Sequence, residues 1–424
     1  MADRLPLSLN RDLEHDPSMS AETDRNPIVD LNLDFEKLAS DPYTVLGDLR
    51  ARGPVHRVRL PDGSETWLIV GYDEVLAALK EPTLSKNWFK ATGELGPNVI
   101  GTNMLTADPP DHTRLRRLVS RGFSARRIQA LRPHVERAAA ELLDGLQDAG
   151  SAELIEDFAM PLSLGTVTDL LGVPFLDRAA FRIWTNDIIV PPEDPARDRQ
   201  VLKEITAYLD QLIDIKRSRP GEDLLSALIH TMDQDHDRLG HEELRATAFL
   251  LLLAGHETTL NLIANGVYAL LRHPIQLAAL RADWSLVDQA VDEMLRWEGS
   301  LTFATNRFTT EPYQVGGTLI PGGGARVLIA LGSANRDPGQ FPNPDRFDIH
   351  RPPRAHLAFG HGIHHCLGTP LARLEGAVAI QSLLQRFPDL TLGLEEPSWR
   401  RSMMARGMAA LPVRWTPPSW AGGQ

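Results

Sequence analysis

Alternating apolar and polar residues predict short β-strands in two parts of the chain. Val55–Leu60 and Glu65–Val70 each show this pattern, and the Pro-Asp-Gly-Ser between them predicts a hairpin that turns at Asp-Gly. A second group of strands is predicted over Pro312–Ala330, where Pro321–Gly324 interrupts the apolar residues. Both groups are small compared with a chain of 424 residues.

Helical spacing of apolar residues dominates the rest of the chain. It predicts helices at Asp73–Lys80, Ala125–Ala149 and Pro161–Leu171. After the proline-rich break at Pro191–Pro195, apolar residues step by three or four positions, which predicts another amphipathic helix. The residues that do so are Leu202, Ile205, Leu209 and Leu212. Residues 85–105 have no clear period, and an irregular segment of that length inside a domain indicates a functional loop.

The stretch from His241 to Arg272 predicts one helix of about 48 Å, at about 1.5 Å per residue. Its centre is apolar on all sides, so the helix is expected to pass through the core. Ala254–Thr259 departs from this pattern, because a helical glycine costs about 1 kcal/mol relative to alanine and a buried glutamate is costly without a partner. Such local departures indicate function. Thr258 can donate a hydrogen bond back to the carbonyl of Ala254 and open the helix there.

Composition and charge narrow the class of protein. Hydrophobic residues make up 42% of the chain, and the absence of linkers and repeats favours one large globular unit over residues 29–424. Residues 1–28 mix charges with polar residues and are expected to be mobile. The net charge of −12 argues against nucleic-acid or anionic-membrane binding. Neither a signal peptide nor a long apolar run is found, the longest being Phe249–Ala254, so the cytoplasm is the expected location.

The only cysteine, Cys366, lies in an unusual loop. A lone cysteine is most often a small buried hydrophobe, and it cannot form an internal disulfide. Glycines on both sides of Cys366 allow tight turns, and the residues from Thr369 onward predict a helix with proline in its first turn. A cysteine ahead of a helix N-terminus is expected to be stabilised as a thiolate. Such a loop suits the axial cysteine ligand of a haem iron.

The loop resembles the haem-thiolate loop of the cytochrome P-450 monooxygenases. The family pattern Phe-Gly-x-Gly-x-His-x-Cys-x-Gly is matched at every fixed position, namely Phe359, Gly360, Gly362, His364, Cys366 and Gly368. The residue before the cysteine, His365, departs from the more common apolar or aromatic residue. Its ring is expected either to donate toward the sulfur and raise the reduction potential, or to turn outward and have little effect.

The resemblance extends over roughly residues 29–415. It implies a mainly α fold with small β-sheets, in which one domain binds haem b and a long central helix crosses the haem. Cys366 is the implied iron ligand, while Glu257 and Thr258, in a family-like Ala-Gly-x-Glu-Thr, are the implied proton-delivery residues. The other residues implied to contact the haem are Ala254, Gly255, Phe359, Gly360 and Gly368.

Further segments match the family in order along the chain. His112 and Arg116 share a helical face after Asp-Pro-Pro, and the resemblance directs both to one haem propionate and Arg307 to the other, with His364 as a further haem-binding residue. A solvated basic helix has the same spacing. Glu293 and Arg296 form an ordinary exposed pair worth about 0.2–0.5 kcal/mol, or, as the family implies, a buried pair completed by Arg346.

The resemblance also implies partners. The chain has no flavin or reductase domain, so electrons are expected from a ferredoxin and its NAD(P)H-dependent reductase. A basic stretch either docks an acidic ferredoxin or is simply a solvated face; it contains Arg114, Arg117, Arg121, Arg126 and Arg127.

The motifs are most similar to the bacterial branch that includes macrolide hydroxylases of the pikromycin type. A macrolide or other polyketide is therefore the expected substrate. A sterol-like or terpenoid hydroxylase is the alternative, and a non-enzymatic haem-thiolate sensor or carrier is a third class that the Glu257–Thr258 pair disfavours. Residues expected at the substrate pocket are Glu94, Leu301, Phe303, Met403 and Met404. Glu94 is expected to attract a protonated amino sugar or else to face water; two methionines are also common core residues.

Overall fold

Helices form most of the secondary structure in the computed structural model, which describes residues 27–32, 35–93, 101–173, 183–185, 187, 195–234, 239–393 and 396–418. The first seven helices are α1 (Phe35–Ser40), α2 (Pro42–Arg52), α3 (Tyr72–Lys80), α4 (Trp88–Thr92), α5 (Asp111–Ser120), α6 (Ala125–Leu146) and α7 (Met160–Leu171). The later helices are α8 (Pro195–Ser218), α9 (Leu224–Gln234), α10 (His241–Arg272), α11 (Pro274–Ala282), α12 (Val287–Trp297), α13 (Leu331–Ala334) and α14 (Thr369–Arg386).

The strands are short, and most lie before residue 86 or after residue 306. They are β1 (Val29–Asp30), β2 (Val55–Arg59), β3 (Glu65–Ile69), β4 (Leu84–Ser85), β5 (Ser151–Glu153), β6 (Arg307–Thr309), β7 (Tyr313–Val315), β8 (Thr318–Ile320), β9 (Arg326–Ile329), β10 (Thr391–Leu392), β11 (Ser398–Trp399), β12 (Met408–Ala410) and β13 (Pro412–Arg414). The largest sheet has the order β1-β2-β3-β9-β6-β4, and a smaller one has the order β10-β13-β5.

The predicted hairpin is confirmed. Strands β2 and β3 are antiparallel, with Val55 opposite Ile69 and Arg59 opposite Glu65. Gly63 has a φ of 81°, a left-handed conformation that glycine adopts without strain, so the turn falls at Asp-Gly as expected. The strands predicted over Pro312–Ala330 are also confirmed as β7, β8 and β9.

The helix predictions differ from the structure mainly at element ends. Helix α10 has the predicted bounds, whereas α6 ends at Leu146, before the predicted Ala149. The segment predicted to be irregular contains α4, which Asn87 caps by accepting a hydrogen bond from the Lys90 N–H. The N-terminal segment up to residue 26, most of the Pro191–Pro195 break and Glu94 lie outside the described residues.

Helix α10 lies in the largest apolar cluster of the structure. Its side chains pack with those of α7, α12 and α14. Helix α7 comes particularly close, because a Cβ at Gly255 would lie 2.9 Å from Cγ2 of Val167. The structure thus gives Gly255 a packing role on the α7 side of the helix, and its contact with a cofactor stays a prediction.

By length and composition α10 is apolar enough to cross a bilayer, with a mean hydropathy of 1.3 over its most apolar window. However, 67% of that window is buried inside the fold. A buried core helix meets the same criterion, and its apolar surface is covered here by neighbouring helices.

The buried glutamate–arginine pair exists, but its third member is wrong in the sequence prediction. Arg296 donates to both carboxylate oxygens of Glu293, at 2.7 and 2.8 Å, and both side chains are buried. The second arginine on Glu293 is Arg351, at 3.2 Å, whereas the Arg346 side chain is 66% exposed. Arg346 contributes only its carbonyl, which accepts from Arg296 and Arg351. The chain turns back at Asp348, whose carbonyl accepts from the Arg351 N–H, and this turn brings Arg351 to Glu293.

Candidate active site

The Cys366 loop is held by its own backbone between a short 3-10 turn, Gly362–His364, and the start of α14. The Cys366 N–H donates to the Phe359 carbonyl at 2.9 Å, and the Thr369 hydroxyl donates to the Cys366 carbonyl at 2.9 Å. Gly362 has a φ of 74°, and a Cβ there would lie 2.8 Å from the carbonyl oxygen of Leu79. Only glycine fits this position, so the close approach of α3 explains the second glycine of the loop.

The electrostatics of Cys366 differ from the expectation of a thiolate stabilised by the helix alone. Burial raises the pKa of its thiol, although the Gly368 N–H, the Thr369 hydroxyl and the charge of Arg116 act in the opposite direction. The side chain also keeps accessible surface. Many protein atoms therefore surround a sulfur that stays accessible. A metal cation bound to it would stabilise the thiolate where the helix N-terminus alone does not.

One face of α10 is accessible in the middle of this otherwise buried helix. Ala254 is exposed and Leu250 and Thr258 are partly exposed, while Glu257 and Thr259 are buried. The spacing of four residues places the accessible side chains on one face. The Thr258 hydroxyl donates to the Ala254 carbonyl at 2.7 Å, which confirms the predicted back-bond. The Thr258 carbonyl in turn accepts from the Ser300 hydroxyl at 2.6 Å.

Two histidines that the sequence places far apart meet beside the cysteine loop. The rings of His112 on α5 and His364 lie 4.4 Å apart. Burial is the main cause that lowers the pKa of each, and neighbouring cations, which include Arg116 for both rings, lower it further. Both rings are therefore neutral near pH 7.

Two further cations lie next to these histidines. Arg307 is 4% exposed and donates to the carbonyls of Leu84 and Leu79, each at 3.3 Å. Burial lowers the pKa of its guanidinium to about 10. Lys86 is also buried and donates to the carbonyls of Thr305 at 3.1 Å and Asn306 at 3.3 Å. Burial, and then the charge of Arg307, lower the pKa of Lys86 well below its usual range.

Several nitrogens of this cluster lack a hydrogen-bond partner among the described residues. They are both ring nitrogens of His112, Nε of Arg307 and Nε2 of His364. Buried donors without an acceptor are costly, and two buried cations require compensating anions, of which Asp108 supplies one. A haem carries two carboxylates and an iron. The cluster would hold the carboxylates, Cys366 would bind the iron, and the accessible face of α10 would leave room for the ring.

Arg116 takes a position closer to the cysteine than to that cluster. Its guanidinium donates to the His365 carbonyl at 2.5 Å, and its charge acts on the Cys366 thiol. Its contact with a haem carboxylate stays a prediction. Arg116 therefore stabilises the loop that presents the thiolate.

Glu257 and His256 point away from the accessible face of α10. Glu257 forms an ion pair with Arg400 and accepts from Asn261 Nδ2 at 3.4 Å. His256 lies within 3.0 Å of the Ser163 hydroxyl on α7, and burial lowers its pKa to about 4.

The expected pocket residues divide into two groups. Leu301 pairs with Ala405, and the Thr302 N–H donates to the Met404 carbonyl at 2.9 Å, so these two segments meet next to Ser300 and Thr258. Leu301 is partly exposed and Met404 is 39% exposed. Phe303 does not line the pocket, because it is 2% exposed inside an apolar cluster beneath the sheet. Met403 packs against the same cluster.

His365 lies on the outer side of the loop. It lines a surface cavity of about 310 Å³ together with Phe359, Gly360 and Arg373. Burial and nearby cations lower the pKa of its ring, Arg116 being the first of these cations. The side chain is exposed, which favours the outward orientation over a contact with the sulfur.

Sequence reasoning missed three functional or structural side chains, namely Lys86, Arg351 and Arg400. No local pattern distinguishes Lys86 or Arg400 from surface residues, since their partners lie far away in the sequence. Arg351 lies five residues after the predicted Arg346, and only the turn at Asp348 decides between them.

Comparisons with known proteins agree with this geometry. Residues 181–403 match the family model described as Cytochrome P-450. The chain is 52% identical to the cytochrome P-450 monooxygenase PikC of Streptomyces venezuelae, over 92% of this chain and 94% of that relative. It is 44% identical to 6-deoxyerythronolide B hydroxylase of Saccharopolyspora erythraea, over 90% of this chain and 98% of the relative.

A solved structure gives the same result for the fold. The tirandamycin C-bound monooxygenase TamI has a TM-score of 0.84 and 41% identity, and the match covers 92% of this chain and 100% of that chain. The cysteine loop, the Ala254–Thr258 turn of α10 and the cation cluster lie within the region that these relatives share. The chain therefore belongs to the cytochrome P-450 family, and it is a haem-b-dependent monooxygenase.

Proposed function

We propose that this monooxygenase hydroxylates or epoxidises a macrolide or another bulky polyketide in secondary metabolism. The observation that carries the substrate class is the high identity, over nearly the whole chain, to PikC and to the hydroxylase named for 6-deoxyerythronolide B, a macrolide lactone. The accessible side chains of Leu250, Ala254, Leu301 and Met404 add an apolar wall that suits an aliphatic ring.

Haem bound through Cys366 supplies an iron that activates dioxygen, with the thiolate donating electron density that favours O–O cleavage. Lys86, His112, Arg307 and His364 would hold its carboxylates. Ala254, on the accessible face of α10, leaves room for the ring because its side chain is one methyl group. Phe359, Gly360 and Gly368 shape the backbone around the thiolate.

Thr258 and Glu257 act in proton delivery. The Thr258 hydroxyl lies on the accessible face, where it holds a water and passes a proton on. Glu257 is the neighbouring general acid, held behind that face by Arg400. A sensor or carrier needs no such pair, so this arrangement favours an enzyme.

Electrons come from a ferredoxin and its NAD(P)H-dependent reductase. Arg117, Arg121 and Arg126 are exposed and form a basic surface that suits an acidic ferredoxin. Arg114 and Arg127 contribute less, because Arg114 pairs with Glu243 and Arg127 donates to the Glu222 carbonyl. The protein works in the cytoplasm as one domain over residues 29–424.

A substrate-induced spin-shift titration tests the substrate class. The panel contains macrolide lactones with and without an amino sugar, a sterol and a long-chain fatty acid. We expect the tightest binding and the largest spin shift with a macrolide, followed by formation of a product that carries one added oxygen. Tightest binding and turnover of the sterol favour the alternative hydroxylase. A macrolide that shifts the spectrum without product contradicts the enzymatic role.

The comparison of macrolides with and without an amino sugar tests the role of Glu94, which lies outside the described residues. Glu94→Gln is expected to weaken binding of the glycosylated macrolide much more than binding of its neutral aglycone, because only the former carries a positive charge. Equal weakening of both compounds removes Glu94 from the pocket.

A further inference from the structure

A group of polar and aromatic contacts lies behind the accessible face of α10, where the helix packs against residues 399–407. Asn265 Nδ2 donates to the Arg406 carbonyl at 2.9 Å, and the rings of Tyr268 and Trp399 lie 6.2 Å apart. A Cβ at Gly407 would overlap the side-chain amide of Asn261. Glu257 lies on this same face, four residues before Asn261.

Arg400 is the cation that this segment presents to Glu257. Arg400 Nη1 and Glu257 Oε1 form the ion pair, with side chains that are 19% and 9% exposed. Arg400 is the more accessible of the two. Asn261 donates to the same carboxylate oxygen at 3.4 Å. A carboxylate that is this buried needs such a partner, since removal of the partner leaves an uncompensated charge.

The backbone fixes Arg400 in place. The Arg400 N–H donates to the Gly407 carbonyl at 2.9 Å, and the Arg400 carbonyl accepts from the Ser402 N–H at 2.9 Å. These bonds close the turn that carries Met403 and Met404, and Met404 is one of the residues with accessible surface near Thr258. The side chain that binds Glu257 and the turn that lines the pocket thus belong to one segment.

His256 does not compete with Arg400 for the carboxylate. Its ring faces Ser163 on α7, and burial followed by the charge of Arg400 lower its pKa to about 4. The imidazole is neutral under working conditions. Among the residues that the structure describes, Arg400 is the cation that pairs with Glu257.

We propose that Arg400 is a positioning residue for proton delivery, which holds the Glu257 carboxylate behind Thr258 and connects it to the turn that lines the substrate pocket. This inference rests on the proposed function.

The test compares Arg400→Gln and Arg400→Lys with Arg401→Gln. Arg401 is a matched control, because it is the next residue and its partner, Glu36, is on the surface. Arg400→Gln is expected to lower product formed per NAD(P)H by about tenfold, less than the roughly 100-fold minimum contribution of a general acid. Hydrogen peroxide rises correspondingly, and the substrate-induced spin shift is unchanged. Arg400→Lys restores most of the product, and Arg401→Gln matches the wild type.

The same substitution in a Glu257→Gln background shows whether Arg400 acts through Glu257. We expect no further loss of coupling there, since the group that Arg400 positions is already gone. The melting temperatures provide a readout independent of activity: Arg400→Gln lowers the melting temperature when Glu257 is present and has little effect when it is absent. A loss of coupling that persists in Glu257→Gln, or wild-type coupling in Arg400→Gln, overturns the proposal.

Should Arg400→Gln alone fail to fold, the double variant decides, because it removes both buried charges together. Coupling equal to that of Glu257→Gln supports the proposal, and lower coupling contradicts it. Failure of the proposed function is recognised separately, since in that case the wild-type protein gives no spin shift with any macrolide.

Discussion

At the residue scale, burial disfavours the charged forms of the cysteine and of the nearby cations, and one ligand can stabilise both kinds of charge. Burial raises the pKa of the Cys366 thiol and therefore disfavours its anion. Burial lowers the pKa of Lys86 and of Arg307 and therefore disfavours their cations. An iron ion would stabilise the thiolate, and the haem carboxylates would stabilise the cations.

Lys86→Met separates these effects. Below the usual pKa of lysine, the charged form is favoured in the unfolded chain and disfavoured in the folded haem-free protein, so the unfolded state binds more protons. The stability of the wild-type haem-free protein is expected to rise with pH up to that usual pKa. Lys86→Met removes this rise and is more stable than the wild type at pH 7, as measured by urea unfolding.

The same variant is expected to lose haem faster than the wild type, because a carboxylate partner is gone. Transfer of haem to apomyoglobin measures this loss. The matched control is Lys90→Met, since Lys90 is 50% exposed and pairs with Asp108 at 3.4 Å. If Lys86→Met is more stable in urea than the wild type but loses haem at the wild-type rate, Lys86 does not face the carboxylates.

At the element scale, the position of α10 depends on close contact with α7. The contact requires glycine at 255, because a Cβ there would press on Val167. It also lets α10 carry a polar Glu257–Thr258 pair in its centre while its apolar neighbours stay packed. The cost of this helical glycine is thus explained by packing as well as by function.

Gly255→Ala is expected to destabilise the protein by about 1–3 kcal/mol, the usual cost of overpacking. In a Val167→Ala background the clash is relieved, and the same substitution is expected to stabilise by up to about 1 kcal/mol through helix propensity. Gly165→Ala on α7 is the control, since nothing lies within 4 Å of its Cβ position. Chemical unfolding measures all four variants; an equal effect of Gly255→Ala in both backgrounds contradicts the packing argument.

The sequence predicted best those features whose residues all lie within one element or one hairpin. The bounds of α10, the β2–β3 hairpin and the Thr258 back-bond follow from periodicity, turn residues and a spacing of four. It was least informative where two distant segments meet. The carbonyls that accept from Lys86 and the arginine that pairs with Glu257 lie more than a hundred residues away, and Phe303 is separated from the pocket by sheet packing that no local pattern reveals.

At the scale of the whole molecule, the buried charge on Glu293 connects α12 to residues 341–351 ahead of the cysteine loop. Arg296 and Arg351 both bind this carboxylate, and Arg351 also donates to the carbonyls of Pro342 at 2.7 Å and Asn343 at 3.1 Å. The position of the loop therefore depends on Arg351 more than on the exposed Arg346.

Arg351→Leu is expected to destabilise the protein by about 3–5 kcal/mol, the cost of removing one partner of a buried charge. Arg346→Leu is expected to change stability by less than about 0.5 kcal/mol, as for most surface substitutions. Yield of haem-loaded protein and the midpoint of urea unfolding measure the difference. If Arg346→Leu is the more damaging substitution, the assignment of Arg351 is incorrect.

The central claim is that Cys366 binds the haem iron as a thiolate, and the spectrum of the reduced protein with carbon monoxide tests it most directly. We predict the strongly red-shifted Soret band of thiolate-ligated haem in the wild type. Cys366→His is expected to keep some haem in the cluster of Lys86, His112 and Arg307 but to lose that band. A wild-type spectrum like that of a histidine-ligated globin would contradict the account.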